Sequence, residues 1–206
     1  MIKNIIFDMG NVMMLFDGLY FISAVGVSDE SDKNILFNEI YHSVEWAQMD
    51  RGTLTLSEAE EQMKVRIPER LHPYVRKLVS NWDRPIIPVN GMADLVRNLK
   101  SNGYKIYLLS NAAENQPSYW NRVPGHEYFD GCLVSYEVKY VKPESEIFNI
   151  FLERFSLKAE ECVFIDDSIS NCEKALQIGI TPIVFHGSAD ELCSKLCSLG
   201  VKVSDT

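Results

Sequence analysis

No stretch of this 206-residue sequence approaches the run of about 20 apolar residues that a membrane-crossing helix needs. Nor do its first residues show a basic segment, a long apolar core and a small-residue cleavage site in succession, so a cytoplasmic protein with no membrane partner is expected. Basic residues are scarce: 20 Lys and Arg face 29 Asp and Glu, for a net charge of -9 and a pI near 5.0. Nucleic acid is held chiefly through clustered Lys and Arg. The balance therefore argues against a nucleic-acid partner, while a small phosphorylated molecule can still be held by local groups. Cysteine is sparse and odd in number. Cys132, Cys162, Cys172, Cys193 and Cys197 include no Cys-x-x-Cys pair and read as free thiols rather than zinc ligands, disulfides or nucleophiles. The four histidines form no His-x-x-x-His pair for a transition metal. A Gly-x-x-x-x-Gly-Lys-Ser/Thr loop is also missing, which excludes a nucleotide P-loop.

What is present is organised around a short stretch near the start. Ile5, Ile6 and Phe7 are apolar and β-prone, and the run stops at Asp8, which reads as a buried strand placing a carboxylate at a sheet rim. Met9-Gly10-Asn11 reads as a turn with little bulk at its centre, where backbone can approach a ligand closely. Taken alone, Asp8 is better read as a cap on the segment that follows. From residue 15 to 86 the periodicity is helical: Ile35, Leu36, Ile40 and Val44 recur at helical spacing, as do Leu71, Val75, Leu78 and Val79. Between them Asp50-Arg51-Gly52-Thr53 reads as a turn, and Ser57 with Glu60 has capping-box spacing. Pro85 and Pro88 close this stretch.

Strand and helix alternate thereafter. Strands are expected at residues 105–109, ending in Ser110-Asn111; at 132–134, leading to Lys142; at 162–165, ending in Asp166-Asp167; and at 183–185. Apolar helical faces lie between them, the strongest carrying Ile147, Phe148, Phe151 and Phe155. Such alternation implies an α/β fold, a Rossmann-like parallel sheet with helices on both faces. Ligands bind such sheets outside the carboxyl ends of the strands, where Asp8, Ser110, Lys142 and Asp166-Asp167 can converge. Two acidic positions suit Mg2+, which takes a few carboxylates and keeps waters and phosphate oxygens as its other ligands. Ser110 and backbone N–H groups can then hold a phosphate, Lys142 offsets its charge, and Asp8 stands to attack phosphorus. Trp46, Trp82, Tyr119 and Trp120 read as packing residues before substrate contacts.

Phe7-Asp8-Met9-Gly10-Asn11-Val12, Leu109-Ser110-Asn111, Val141-Lys142-Pro143-Glu144 with Ile147-Phe148, and Phe164-Ile165-Asp166-Asp167-Ser168 resemble the four motifs of the haloacid dehalogenase (HAD) superfamily. They stand in that family's order and cover nearly the whole chain. The helical stretch between the first two resembles the C1-type cap of the subfamily that includes sugar-phosphate phosphatases and the phosphatase domain of soluble epoxide hydrolases. The Asp-x-Gly-Asn-Val form of the first motif, with the Asp-Asp form of the fourth, most resembles bacterial α-glucose-1-phosphate phosphatases. The resemblance implies a HAD core over residues 1–14 and 87–206, with a helical cap over 15–86. It implies Asp8 as nucleophile, Lys142 as the charge-neutralising lysine, and Ser110 and Asn111 as phosphate binders. Mg2+ would be held by Asp167, with Asp8, the Gly10 carbonyl and Asp166 at the same site. Asn171 would lie in its outer shell, or else cap its helix or face solvent.

One position departs from the pattern. Family phosphatases carry a second Asp two residues after the nucleophile, where it protonates the leaving oxygen and later activates water; here Gly10 stands there. Losing such a group costs about 10² to 10⁴ in rate. Three consequences are open. The substrate needs little protonation, as with a hexose 1-phosphate; or an acid comes from elsewhere, with Asp17 and Glu114 as candidates; or the chain is a weakly active or non-catalytic phosphate-binding regulatory protein. A haloacid dehalogenase also lacks the second Asp, but does not require the metal chemistry that Asp166-Asp167 keeps. The expected function is Mg2+-dependent hydrolysis of a small phosphorylated metabolite such as a sugar phosphate, through an aspartyl-phosphate, by a chain able to work as a monomer.

Overall fold

Ile5, Ile6 and Phe7 are fully buried in an extended strand, as branched and aromatic side chains favour. Burying each contributes about 1.5–3 kcal/mol. The strand also takes in Asn4, whose Nδ2 donates to Cys162 Sγ at 3.6 Å. The computed structural model describes residues 1–203. Its elements run β1 (Asn4–Phe7), α1 (Gly18–Ala24), α2 (Glu30–Leu36), α3 (Val44–Arg51), α4 (Leu56–Arg66), α5 (His72–Ser80), α6 (Met92–Ser101), β2 (Lys105–Ser110), α7 (Gln116–Trp120), β3 (Gly131–Val134), α8 (Ser135–Val138), α9 (Ser145–Arg154), β4 (Cys162–Asp166), α10 (Ile169–Ile178), β5 (Thr181–Val184) and α11 (Ala189–Ser198).

The sheet has the order β3-β2-β1-β4-β5 and every neighbouring pair is parallel. β1 is central, with Ile5 opposite Ile106 on one side and Val163 on the other. Side chains alternate between faces. Ile5 and Phe7 join the core beneath α6 and α11, with Leu95, Val96, Leu192 and Leu196, whereas Ile6 joins the core beneath α9 and α10, with Phe148, Phe151 and Ala175. This is the expected Rossmann-like α/β sheet, covered on both faces. No helix among the described residues is long and apolar enough to cross a membrane.

Local expectations are corrected in several places. Val44 is 64% exposed, because the chain breaks at Ser43, which caps a new helix and resets its face. Asp50 and Arg51 are helical, and the turn begins only at Gly52, which ends α3 at φ +72°, a conformation glycine adopts freely. The capping box is Thr55 with Glu58, not Ser57 with Glu60. Two overlapping boxes share this stretch, and the earlier start turns Ala59, Glu60 and Met63 inward, where Glu60 accepts a hydrogen bond from the Ser80 hydroxyl. The last strand begins at Thr181 and includes Pro182, which an edge strand tolerates because its missing N–H can face outward.

Candidate active site

Parallel strands bring their C-terminal ends to one edge of the sheet. Asp8 follows β1 with its N–H still bonded to the Ile165 carbonyl at 2.8 Å. Asp166 ends β4, Asp167 follows it, and Ser110 ends β2. After Asp8 the chain turns back at Asn11, which takes the left-handed conformation at φ +56°, one that Asn adopts more readily than most residues. Its amide is fully used: Oδ1 accepts the Phe16 N–H at 3.0 Å and Nδ2 donates to Asp167 Oδ2 at 3.0 Å. A Cβ built on Gly10 meets only Phe16 Cβ, at 3.7 Å, an ordinary contact. Space does not demand glycine there.

Lys142 reaches the same edge from the loop after α8. Its Nζ lies 2.8 Å from Asp8 Oδ1 and 2.7 Å from Asp166 Oδ2, and 5.3 Å over the Phe164 ring. Burial works against its charge, but the two carboxylates outweigh burial and hold the ammonium above its usual range. Burial pushes the Asp8 carboxyl up; Lys142 opposes this and the Asp166 charge adds to it. Asp166 is fully buried and takes hydrogen bonds from Lys142 Nζ, the Ser168 N–H at 2.8 Å and Asn171 Nδ2 at 3.0 Å. Asn171 thus holds Asp166 instead of facing solvent.

The residues expected to bind phosphate are placed differently from each other. The side-chain amide of Asn111 is committed to Lys142, accepting its N–H at 2.8 Å and donating to its carbonyl at 3.0 Å. Ser110 is buried at the end of β2, with its hydroxyl 3.5 Å from the Asn111 carbonyl.

Above this edge is a cavity of about 220 Å³. Asp8, Gly10, Asn11, Lys142 and Asp167 form its floor, and residues of the helical stretch, Trp46 and Trp82 among them, form its walls together with Tyr119. Trp120 is not part of the lining and packs against Phe129 at 5.0 Å. The two acids considered as substitutes for Gly10 are spent elsewhere. Asp17 caps α1 by accepting the Tyr20 N–H, and Glu114 accepts the Leu56 N–H at 3.2 Å.

Asp50, which the sequence reading placed in a turn, lines the cavity from the end of α3. Burial and the neighbouring Asp8 charge push its carboxyl up to about 7, against a hydrogen bond from Trp46 that lowers it. A carboxyl that keeps its proton near neutral pH can donate it. Its backbone carbonyl accepts the Ser135 hydroxyl, which also accepts the Ala112 N–H at 3.0 Å. Next to it, Arg51 makes a two-pronged ion pair with Glu144 at 2.7 and 2.9 Å, and Glu144 in turn accepts the Val141 N–H beside Lys142. The end of α3 is thereby fastened to the loop that carries the lysine.

Asp8, Asp166 and Asp167 each offer a carboxylate oxygen, all within 4.8 Å of one another. Three carboxylates against one ammonium leave the cluster short of positive charge. The donor set is all oxygen and suits a hard divalent cation such as Mg2+ better than a thiophilic metal.

Comparison with known proteins places this geometry. Drimenol cyclase drtB of Aspergillus calidoustus is 24% identical over 97% of this chain, which spans only 37% of that protein. D-ribitol-5-phosphate phosphatase of Bacteroides thetaiotaomicron is 24% identical, over 92% of this chain and 95% of its own. Among solved structures, a HAD family enzyme of Bacteroides thetaiotaomicron in complex with magnesium and inorganic phosphate superposes with a TM-score of 0.73 at 23% identity, covering 93% of this chain and 99% of that one. Since residues 2–179 match the family model described as haloacid dehalogenase-like hydrolase, the chain belongs to that hydrolase family.

Proposed function

We propose that this hydrolase cleaves a phosphomonoester of a small metabolite, with Mg2+ as cofactor. The observation that carries the reading is the contact between Lys142 and Asp8, 2.8 Å apart on the floor of the cavity. It holds one carboxylate oxygen in place and leaves the other for phosphorus. In this reading Asp8 attacks phosphorus, the bond from phosphorus to the ester oxygen breaks, and water then hydrolyses the aspartyl-phosphate to phosphate and free Asp8. Lys142 offsets charge on the phosphoryl oxygens, and Ser110 and the Asn111 backbone border the phosphate. Asp167 and Asp8, with the Gly10 carbonyl and Asp166 beside them, are the residues that would hold Mg2+, whose charge would stabilise the phosphoryl oxygens. Residues 15–86 act as the cap that excludes water. One chain supplies every group named, so the reading needs no second copy.

Gly10 offers no proton, so the ester oxygen must either depart without one, as in a hexose 1-phosphate, or be served from elsewhere. Asp50 is the carboxyl the cavity presents for that task. The expectation of a sugar phosphate rests on the form of the first and fourth motifs, and a relative named D-ribitol-5-phosphate phosphatase supports that class. The test is phosphate release from a panel of sugar, polyol and simple organic phosphates, with and without Mg2+, beside Asp8→Asn. Release that requires the metal and vanishes in the variant supports the reading. Release of chloride from haloacids in the presence of chelator would replace it with a dehalogenase, and binding of phosphate with no turnover would leave a regulatory binding protein.

A further inference from the structure

The cavity has two chemically different ends. Its floor is the charged cluster already described. Its walls are formed by Phe16, Trp46, Leu56, Val79, Trp82 and Tyr119. These rings are packed on one another: Phe16 lies 5.1 Å from Trp82 and 5.7 Å from Trp46, and Trp82 lies 5.1 Å from Tyr119. Such edge-on and tilted packing fixes each ring. The walls are therefore rigid and apolar before any ester arrives.

Beyond the floor the polar groups are few: the Asp50 carboxyl, the Asn115 amide and the Tyr119 hydroxyl, besides the indole N–H groups. The Asp50 carboxyl already takes a hydrogen bond from Trp46. Asn115 lines the cavity with Nδ2 buried and without a partner in the protein, which leaves its two N–H donors for oxygens of the bound molecule. A hexose brings several hydroxyls, and each one buried unpaired weakens binding by about tenfold or more. A group without them loses nothing and gains from the apolar walls. Size agrees with chemistry: an apolar cavity of about 150 Å³ takes one benzene ring, so about 220 Å³ suits a phosphate and one ring.

We infer that the ester held here carries a compact, largely apolar group about the size of one six-membered ring, and not a polyhydroxylated sugar. The inference rests on the phosphatase reading above and narrows its substrate class. Phe16, Trp46 and Trp82 would enclose the ring, and the Asn115 amide would meet one or two oxygens at its edge.

Cyclohexylmethyl phosphate and glucose 6-phosphate test this directly, because both join phosphate to a primary carbon on a saturated six-membered ring and differ mainly in hydroxyls. With native protein and Mg2+, kcat/KM is expected to be about 100-fold or more higher for cyclohexylmethyl phosphate. Leu56→Gln, a change on a half-buried wall residue, is expected to shrink that ratio about fivefold, chiefly by raising KM for the apolar ester. Equal rates for the two esters, or faster hydrolysis of glucose 6-phosphate, would overturn the inference while leaving the phosphatase reading intact. Should neither ester be hydrolysed, the phosphatase reading is judged on the wider panel above, and calorimetric binding of the same two esters to native protein still decides: tighter binding of the apolar ester supports the apolar pocket, and equal or weaker binding refutes it.

Discussion

Asn111 grips the backbone of Lys142 at two points, with Oδ1 on the N–H and Nδ2 on the carbonyl. Removing that amide leaves two backbone groups short of partners, at about 1–3 kcal/mol each where they are buried. Asn111→Ala is expected to unfold at lower urea concentration and to lower kcat about tenfold or more with little change in KM. A raised KM with kcat unchanged would instead assign Asn111 to holding phosphate.

Lys142 is the one cation between two buried carboxylates. Breaking a buried pair by removing one partner costs about 3–5 kcal/mol, so Lys142→Met is expected to be destabilised by that order in chelator. Millimolar Mg2+ should return part of the loss. Denaturant titrations of the variant with and without the metal check this, and an unchanged midpoint would show that the carboxylates do not hold the ion.

Gly10 can accept a side chain, since its added Cβ meets nothing closer than 3.7 Å. Gly10→Asp is expected to fold normally and to raise turnover of alkyl phosphates about tenfold or more, within the range that general acids supply. Phenyl phosphate, whose oxygen departs readily without a proton, should gain little. If neither ester gains, proton supply at that position does not limit the reaction.

The Asp50 carboxyl is pushed up to about 7 from an ordinary value of 3.8. Between those values the folded protein binds more protons at this group than the unfolded chain. Its ionisation therefore subtracts stability as pH rises from about 4 to about 7. In metal-free protein, Asp50→Asn removes that penalty. Its melting temperature is expected to exceed the native value by several degrees at pH 8, and by much less at pH 5. A gap that stays constant across those pH values would put Asp50 in the ordinary carboxylate range.

The helix caps give a smaller test. Thr55→Ala removes half of the capping box and is expected to cost about 1 kcal/mol, whereas Ser57→Ala, inside α4, should stay within about 0.5 kcal/mol. Equal losses would mean that both boxes are used.

The sheet and its charged edge were legible because they are written as short apolar runs that end in polar residues: β1 in Asp8, β2 in Ser110 and β4 in Asp166. Continuous burial along a central parallel strand, as in all four residues of β1, needs no knowledge of distant partners. The helical stretch was harder, since its helices are short and their faces reset at each break, as at Val44. Asp50 went unread as a site residue because Gly52 drew the turn two residues too early. The signal was there: Trp46 and Asp50 are four apart, so a helix continued to Arg51 puts both on one face. The Asn111 clamp was invisible because its partner lies 31 residues away, in a loop with no periodicity of its own.

The fork between Arg51 and Glu144 links two things that a hydrolase usually has to coordinate in time. Glu144 steadies Val141, next to Lys142, with the same oxygen that receives one prong of Arg51. Without the Arg51 fork that oxygen would keep only the Val141 N–H, so α3 and the lysine loop share one carboxylate as their tie. Walling the cavity and bracing the lysine are thus one and the same fastening.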